Sequence, residues 1–424
     1  MNTSKRRIVV TGYGAVSPLG CDLDAIWQNL SAGRSGVDEL EAIKLPEGFS
    51  PFGAEVRAFE ERKAVPPNQR KVLKVMAADI KYAVGAAKSV LQHAGVEKYP
   101  DPARFGVNSG AGLIATEHTD LGDAVHASLD AKGKFDIKKW GREGMERMFP
   151  LWMLKYLPNM PACHISILYD AQGPNNSITA SEASALLAIG EAYRVMMRGT
   201  ADFFLAGGAD SRIHPLSMTR LALLKKLTKR TSDPQSAVRP FDVDRDGYVP
   251  GEAAAFLALE EFEAARKRSA KAYAEVLGFG SSFNVRDRKD GMVRAMTLAL
   301  KDAGLEAKDL GLVVAHGSGA VEEDHAEQQA LAAVIDAEKT PVLALKGYWG
   351  FVGAASGALE LVATLLAWQH RRLPASINVD RLDPSLPPLN IVAAPTDFRD
   401  RAFLVVAASH SGQCAALVVK PLVA

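Results

Sequence analysis

The sequence predicts an α/β fold in which buried strands alternate with helices. Two observations predict it. Short apolar, β-branched runs recur along the 424 residues, and each stops at small or glycine residues. Longer stretches with helical periodicity lie between them, and one is apolar on nearly every side, as a helix between two layers is.

The strands are expected at 8–11, 203–206, 312–315 and 403–407. Each runs into a corner of small residues: Gly12 and Gly14, Gly207 and Gly208, Gly317 and Gly319, Ser409 and Gly412. Functional loops sit at such strand ends in α/β proteins. Amphipathic helices are expected at 77–94 and 292–303. The all-round apolar helix spans 183–197, with Gly199 beyond it as a stop. A small-residue helix leading into a bounded strand occurs at 182–210 and, more loosely, at 352–412, interrupted by a connection at 371–399. This internal echo predicts two similar halves, 1–258 and 259–424. The segment at about 113–165 has no strand pattern; its lysines, arginines and aromatics read as a cap over the first half.

Composition narrows the function. Lys plus Arg number 50 and Asp plus Glu 49, so net charge draws the chain toward neither nucleic acid nor an anionic membrane. No apolar run approaches the ~20 residues of a membrane span. Cys21, Cys163 and Cys414 have no metal or disulfide spacing and fit a reducing cytoplasm. The start, Met1 to Arg7, carries no apolar signal core. The expectation is a cytoplasmic protein with no metal, no nucleic acid and no membrane partner.

Four groups stand where chemistry occurs. Glu182 lies where a strand-like stretch breaks into the buried helix. Unpaired N–H groups and the positive end of the dipole favour anions and nucleophiles there; an ordinary first-turn capping Glu has the same position. His316 follows the 312–315 strand beside Gly317, as a catalytic or a structural histidine would. Lys346 follows the apolar run 342–345, and Glu327 is placed at a helix start; both also read as surface charges. Gly12-x-Gly14 is half a dinucleotide fingerprint, but Ser17 breaks it.

Taken in order, these segments resemble the β-ketoacyl-acyl carrier protein synthases of the thiolase superfamily, over nearly the whole chain. The opening Arg7 to Gly20, Ala206-Gly-Gly-Ala-Asp210, the Arg239 to Glu252 segment, Ala315-His-Gly317 and Lys346 all match. The resemblance implies a thiolase-like five-layer αβαβα fold of two pseudo-repeated halves, working as a dimer. It implies a nucleophilic cysteine and two histidines, with no bound cofactor. The substrate arm is the phosphopantetheine of an acyl carrier protein.

This chain departs at the site. Counting from Gly173-Pro174 or back from Ile189-Gly190 puts the cysteine position on Glu182. The first histidine is kept as His316. The second histidine position is Phe351. Lys346 is kept, with Glu327 as its implied carboxylate partner. His410 stands at the phenylalanine of the C-terminal gate, and Ala320 replaces a threonine that touches the pantetheine arm. A carboxylate accepts an acyl group from a thioester only as an unstable anhydride, so cysteine-type covalent catalysis is closed to it. The resemblance therefore implies the chain-length-factor type, paired with a catalytically complete ketosynthase subunit in polyketide, polyene or fatty acid biosynthesis. A homodimer is the other assembly. The alternative is a residual malonyl decarboxylase or thioester hydrolase using His316 and Glu182. Arg70, Lys71, Lys74 and Arg230 are the expected docking charges for an acidic carrier protein. His410 is the expected partner of Glu182.

Overall fold

The computed structural model describes residues 6–43 and 49–422. The start of the chain through Lys5, read above for a signal core, lies outside the described residues.

Ten strands build the main sheet. In chain order they are β1 (Ile8–Val16), β2 (Phe105–Ala111), β3 (Asn175–Ile178), β4 (Phe203–Ser211), β5 (Glu252–Glu261), β6 (Ala274–Phe283), β7 (Leu310–Val314), β8 (Val342–Leu343), β9 (Ala402–Ala408) and β10 (Gln413–Pro421). Their spatial order is β8-β7-β9-β10-β6-β1-β5-β4-β2-β3. Each half contributes five strands in one topology. From the outer edge inward, each half runs third, second, fourth, fifth and first strand. In both, the third, second and fourth strands are parallel, and the fifth runs antiparallel to the fourth and first. The halves join where β1 pairs with β6, from Ile8 opposite Val276 to Val10 opposite Ala274. The break expected at 258 falls inside β5, whose partners β1 and β4 belong to the first half. The topological repeat changes over between Glu261 and Ala274.

Five helices position the site: α1 (Ala78–His93), α2 (Ser184–Met197), α3 (Arg288–Ala303), α4 (Val321–Val334) and α5 (Ser356–Gln369). α2 and α5 occupy equivalent places, each entered through a 3-10 turn, Ser181–Ala183 and Gly353–Ala355. They share one buried cluster with the inward side chains of the strands. α1 covers the outer face of the first half and α3 that of the second. Period-two alternation shows the layering directly. In β5, Ala253, Ala255, Leu257 and Leu259 face the central cluster, while Ala254, Phe256 and Ala258 face α1. Strands buried on both faces read as unbroken apolar runs, which is why they stand out in the sequence.

Two of the expected glycine corners are not strand ends. β1 and β4 continue through Gly12, Gly14, Gly207 and Gly208 to Val16 and Ser211. These glycines permit close approach: a Cβ on Gly12 would lie 2.7 Å from Ala94 Cβ, and one on Gly208 would lie 2.4 Å from the Ala354 carbonyl. Gly317 and Gly319 do end β7, with φ of +47° and +78°.

The segment 113–165 is short helices and helical turns with no ladder strand. Trp152, Leu154, Tyr156 and Cys163 pack against the outer cluster of the first half, while Met153 is exposed. Among the described residues no helix is long and apolar enough to cross a membrane.

Candidate active site

Glu182 sits in the 3-10 turn that starts α2. Ser181, just before it, has φ +51°. A left-handed backbone at a non-glycine residue costs about 1–2 kcal/mol, and here it swings the chain so that residue 182 faces the centre. Ser184 braces the turn: its Oγ accepts from Ala180 N at 2.8 Å and donates to the Ser181 carbonyl at 2.6 Å. Glu182 is fully buried, and neither carboxylate oxygen has a hydrogen-bond partner among the described residues. The facing cation is His410, whose Nδ1 lies 3.8 Å from Glu182 Oε2.

His316, at the end of β7, is buried and held from two sides. Its backbone N–H donates to Glu327 Oε1 at 2.7 Å, and the Gly317 N–H donates to Oε2 at 2.7 Å. Lys346 Nζ lies 3.2 Å from His316 Nδ1 and donates to the His316 carbonyl. An ammonium has only protons to give, so Nδ1 accepts and Nε2 carries the ring proton. Burial, then repulsion from Lys346, pushes the imidazolium pKa well below the usual histidine range, so His316 is neutral.

Two expectations about this group change. Glu327 is not at a helix start; it lies past the first turn of α4. It is not the direct partner of Lys346 either. Lys346 Nζ pairs with Glu360 Oε1 at 2.5 Å, both side chains fully buried, and Glu360 comes from α5. Glu327 instead orients the backbone that carries His316. Burial, then repulsion from Asp324, pushes its carboxyl up to about 8.

Phe351 is buried and stacks on Tyr248, ring centroids 4.2 Å apart and planes 7° from parallel. The Arg212 guanidinium lies 5.7 Å from the Phe351 ring centroid and pairs with Asp210 at 2.7 Å. Tyr248 donates its hydroxyl to Glu323 Oε2. Lys226 and Arg288 approach Glu323 Oε1 at 3.0 and 3.2 Å. Arg288 also donates to the His410 carbonyl at 3.1 Å, tying the gate turn to the pocket. Ala320 is buried against Tyr248 and Phe351.

Glu182, His316, Lys346, Glu327, Phe351 and His410 thus meet at one centre. Sequence reasoning missed Glu323, Glu360, Arg288 and Tyr248. Glu360 had a signal: it is the only charge in the apolar stretch from Val352 to Trp368. Glu323 had none, because Glu322-Glu323-Asp324 reads as a solvated helix start. Arg70, Lys71 and Lys74 are exposed on the 3-10 helix Pro67–Val75. Arg230 is half-buried, donating to the Asp244 carbonyl at 2.6 Å and lying 3.6 Å from Asp246.

The Glu182–His410 contact makes stability depend on pH. Burial alone would raise the Glu182 carboxyl, but the facing His410 outweighs it and holds the carboxyl below its ordinary 4.5. Glu182 raises His410 above its ordinary 6.5, against the opposing effect of burial. The Glu182 contribution is present above pH 4.5 and is lost as pH falls through the lowered value. The His410 contribution is full below pH 6.5 and is lost as pH rises through the raised value. The melting-temperature difference between wild type and His410→Phe is therefore expected to peak between those limits and shrink at alkaline pH. A difference that stays constant from pH 5.5 to 9 would count against the pair. The His410 side chain is 42% exposed, so solvent screens this effect.

Comparison with known proteins places this site in context. The family pattern described as Beta-ketoacyl synthase, N-terminal domain, matches residues 5–265, and the corresponding C-terminal domain matches 273–380. The 3-oxoacyl-acyl-carrier-protein synthase 2 of Vibrio cholerae is 32% identical over 393 residues, covering 90% of this chain and 91% of that protein. Among solved structures, the ishigamide ketosynthase/chain length factor superposes with a TM-score of 0.86 at 27% identity, covering 99% of this chain and 100% of that one. A ketosynthase in complex with its type II acyl-carrier protein superposes at 0.84, with 27% identity and coverage of 99% and 100%.

Proposed function

This chain belongs to the β-ketoacyl synthase family, and from that premise we propose that it is the non-condensing, chain-length-factor-like subunit of a heterodimeric ketosynthase in polyketide, polyene or fatty acid biosynthesis. One observation carries this reading. The nucleophile position, at the start of α2, holds a buried glutamate ion-paired to the gate residue His410. Glu182 cannot store an acyl group as a thioester. The second donor to a decarboxylation oxyanion is absent as well, because position 351 holds a phenylalanine packed flat on Tyr248. One such donor is worth about 3–4 kcal/mol, or about 10²–10³ in rate. The buried scaffold of His316, Lys346 and Glu360 is nevertheless complete.

The solved relatives include a ketosynthase/chain length factor and a ketosynthase bound to its acyl-carrier protein. The first supports pairing with a partner subunit, and the second supports docking of a carrier protein. The phosphopantetheine arm of a carrier protein is then the substrate arm, and Arg70, Lys71 and Lys74 are the exposed docking charges. Arg230 contributes less, since its guanidinium is already engaged.

The deciding experiment is co-expression with a cysteine-bearing ketosynthase, followed by acyl loading and intact-mass spectrometry. The two chains are expected to co-purify, with the acyl mass on the partner alone. An acyl adduct on this chain would sink the proposal. Carrier-protein binding that weakens with salt, and weakens further in Arg70→Glu, is the expected signature of docking.

A further inference from the structure

We propose that Glu182, His316 and Glu323 seat a single water molecule, and that the chain uses it to hydrolyse acyl thioesters by general-base catalysis. The thioester class rests on the family reading above; the hydrolytic chemistry rests on the geometry of these three groups.

One ligand atom from each of the three lies within 4.8 Å of the others, and all three residues are buried. Among the described residues, both Glu182 oxygens and His316 Nε2 lack hydrogen-bond partners, while Glu323 Oε1 is held by Lys226 and Arg288. Unpaired polar atoms at such depth are costly unless a small species joins them. Atoms no more than 4.8 Å apart share a point no farther than about 2.8 Å from any of them, which is a hydrogen-bond length.

The donor pattern selects the species. Lys346 fixes His316 as the Nε2–H tautomer, so one donor and two carboxylate acceptors converge. Water matches this, accepting one hydrogen bond and donating two. A metal ion matches poorly, because the Nε2 lone pair is taken by a proton. Glu323 also already faces Lys226, Arg288 and the Tyr248 hydroxyl.

The same arrangement supports hydrolysis. The water oxygen attacks the thioester carbonyl carbon while Glu182 takes its proton. The Nε2–H that the resting water accepts is the donor for the carbonyl oxygen as it becomes an oxyanion. Collapse of the tetrahedral intermediate breaks the C–S bond, and the proton on Glu182 passes to the leaving thiolate. Free acid and thiol result, with water the only co-reactant. Glu323, locked by Tyr248, Arg288 and Lys226, orients the water. His410, partly exposed above Glu182, marks the side from which a thioester arrives.

The test uses the full chain, alone and in its complex, with octanoyl-N-acetylcysteamine as the probe and thiol release as the readout. Thiol release above the buffer blank, with no covalent acyl mass on this chain, is the expected result. Glu182→Gln is near-isosteric and is expected to lower kcat about 10²-fold. Glu323→Gln is expected to lower kcat while leaving KM unchanged, which separates water orientation from a folding defect. Release equal to the blank, release unchanged in Glu182→Gln, or stoichiometric metal found by elemental analysis would each overturn the inference. Absence of release in an intact heterodimer leaves the subunit reading standing. Glu182-dependent release by a chain that binds no ketosynthase does the reverse.

Discussion

Lys346→Met is expected to destabilise the fold by about 3–5 kcal/mol, measured by chemical denaturation. Lys346 and Glu360 are both fully buried and paired at 2.5 Å. Glu360 Oε2 has no hydrogen bond among the described residues, so losing the ammonium strands a charge in the central layer. The loss matters because a domain's whole stability is only about 5–15 kcal/mol. The double variant Lys346→Met/Glu360→Leu removes both charges and is expected to recover most of the loss, since apolar replacements of buried pairs are often neutral. It also releases His316 Nδ1, so the double variant is expected to be folded yet to have lost the thiol release described above. A Lys346→Met protein as stable as wild type would show that the pair contributes nothing net.

Glu182→Cys is expected to introduce covalent acyl chemistry that wild type lacks. A thiol at this position stands at the start of α2, where the helix dipole favours the thiolate. Intact-mass spectrometry after exposure to an acyl thioester is expected to show an acyl adduct that wild type lacks. Condensation with a malonyl thioester is expected to remain very slow, because Phe351 supplies no second donor. Glu182→Cys/Phe351→His is expected to raise it by about 10²–10³. Full condensation by Glu182→Cys alone would show that His316 suffices, and that Phe351 is no obstacle.

The sequence made much of this visible because the relevant features are local. Period-two and all-round apolar runs mark the strands and α2, and the echo between 182–210 and 352–412 corresponds to a true repeat of topology. The glycines misled at Gly12 and Gly207, where small size serves close packing rather than a turn. A glycine is the same letter for both purposes, and only the neighbour that would strike its Cβ tells them apart. The highly specific Arg239 to Glu252 segment is scaffold rather than chemistry. Asp242 accepts the backbone N–H groups of Asp244, Asp380 and Arg381, and Tyr248 lies under Phe351.

By itself the sequence determined which functional groups exist at the site: a carboxylate at 182, an imidazole at 316, an apolar ring at 351. These are covalent facts, and they exclude a thioester-forming nucleophile at those three positions. Only the tertiary structure decided the pairings. Lys346 goes to Glu360 on α5 rather than to Glu327, and Glu323 turns from a solvated acidic run to face Glu182 and His316. Partner choice depends on distances of a few ångströms between residues far apart in the chain. Electrostatics in a buried site acts through those distances, which no local pattern encodes.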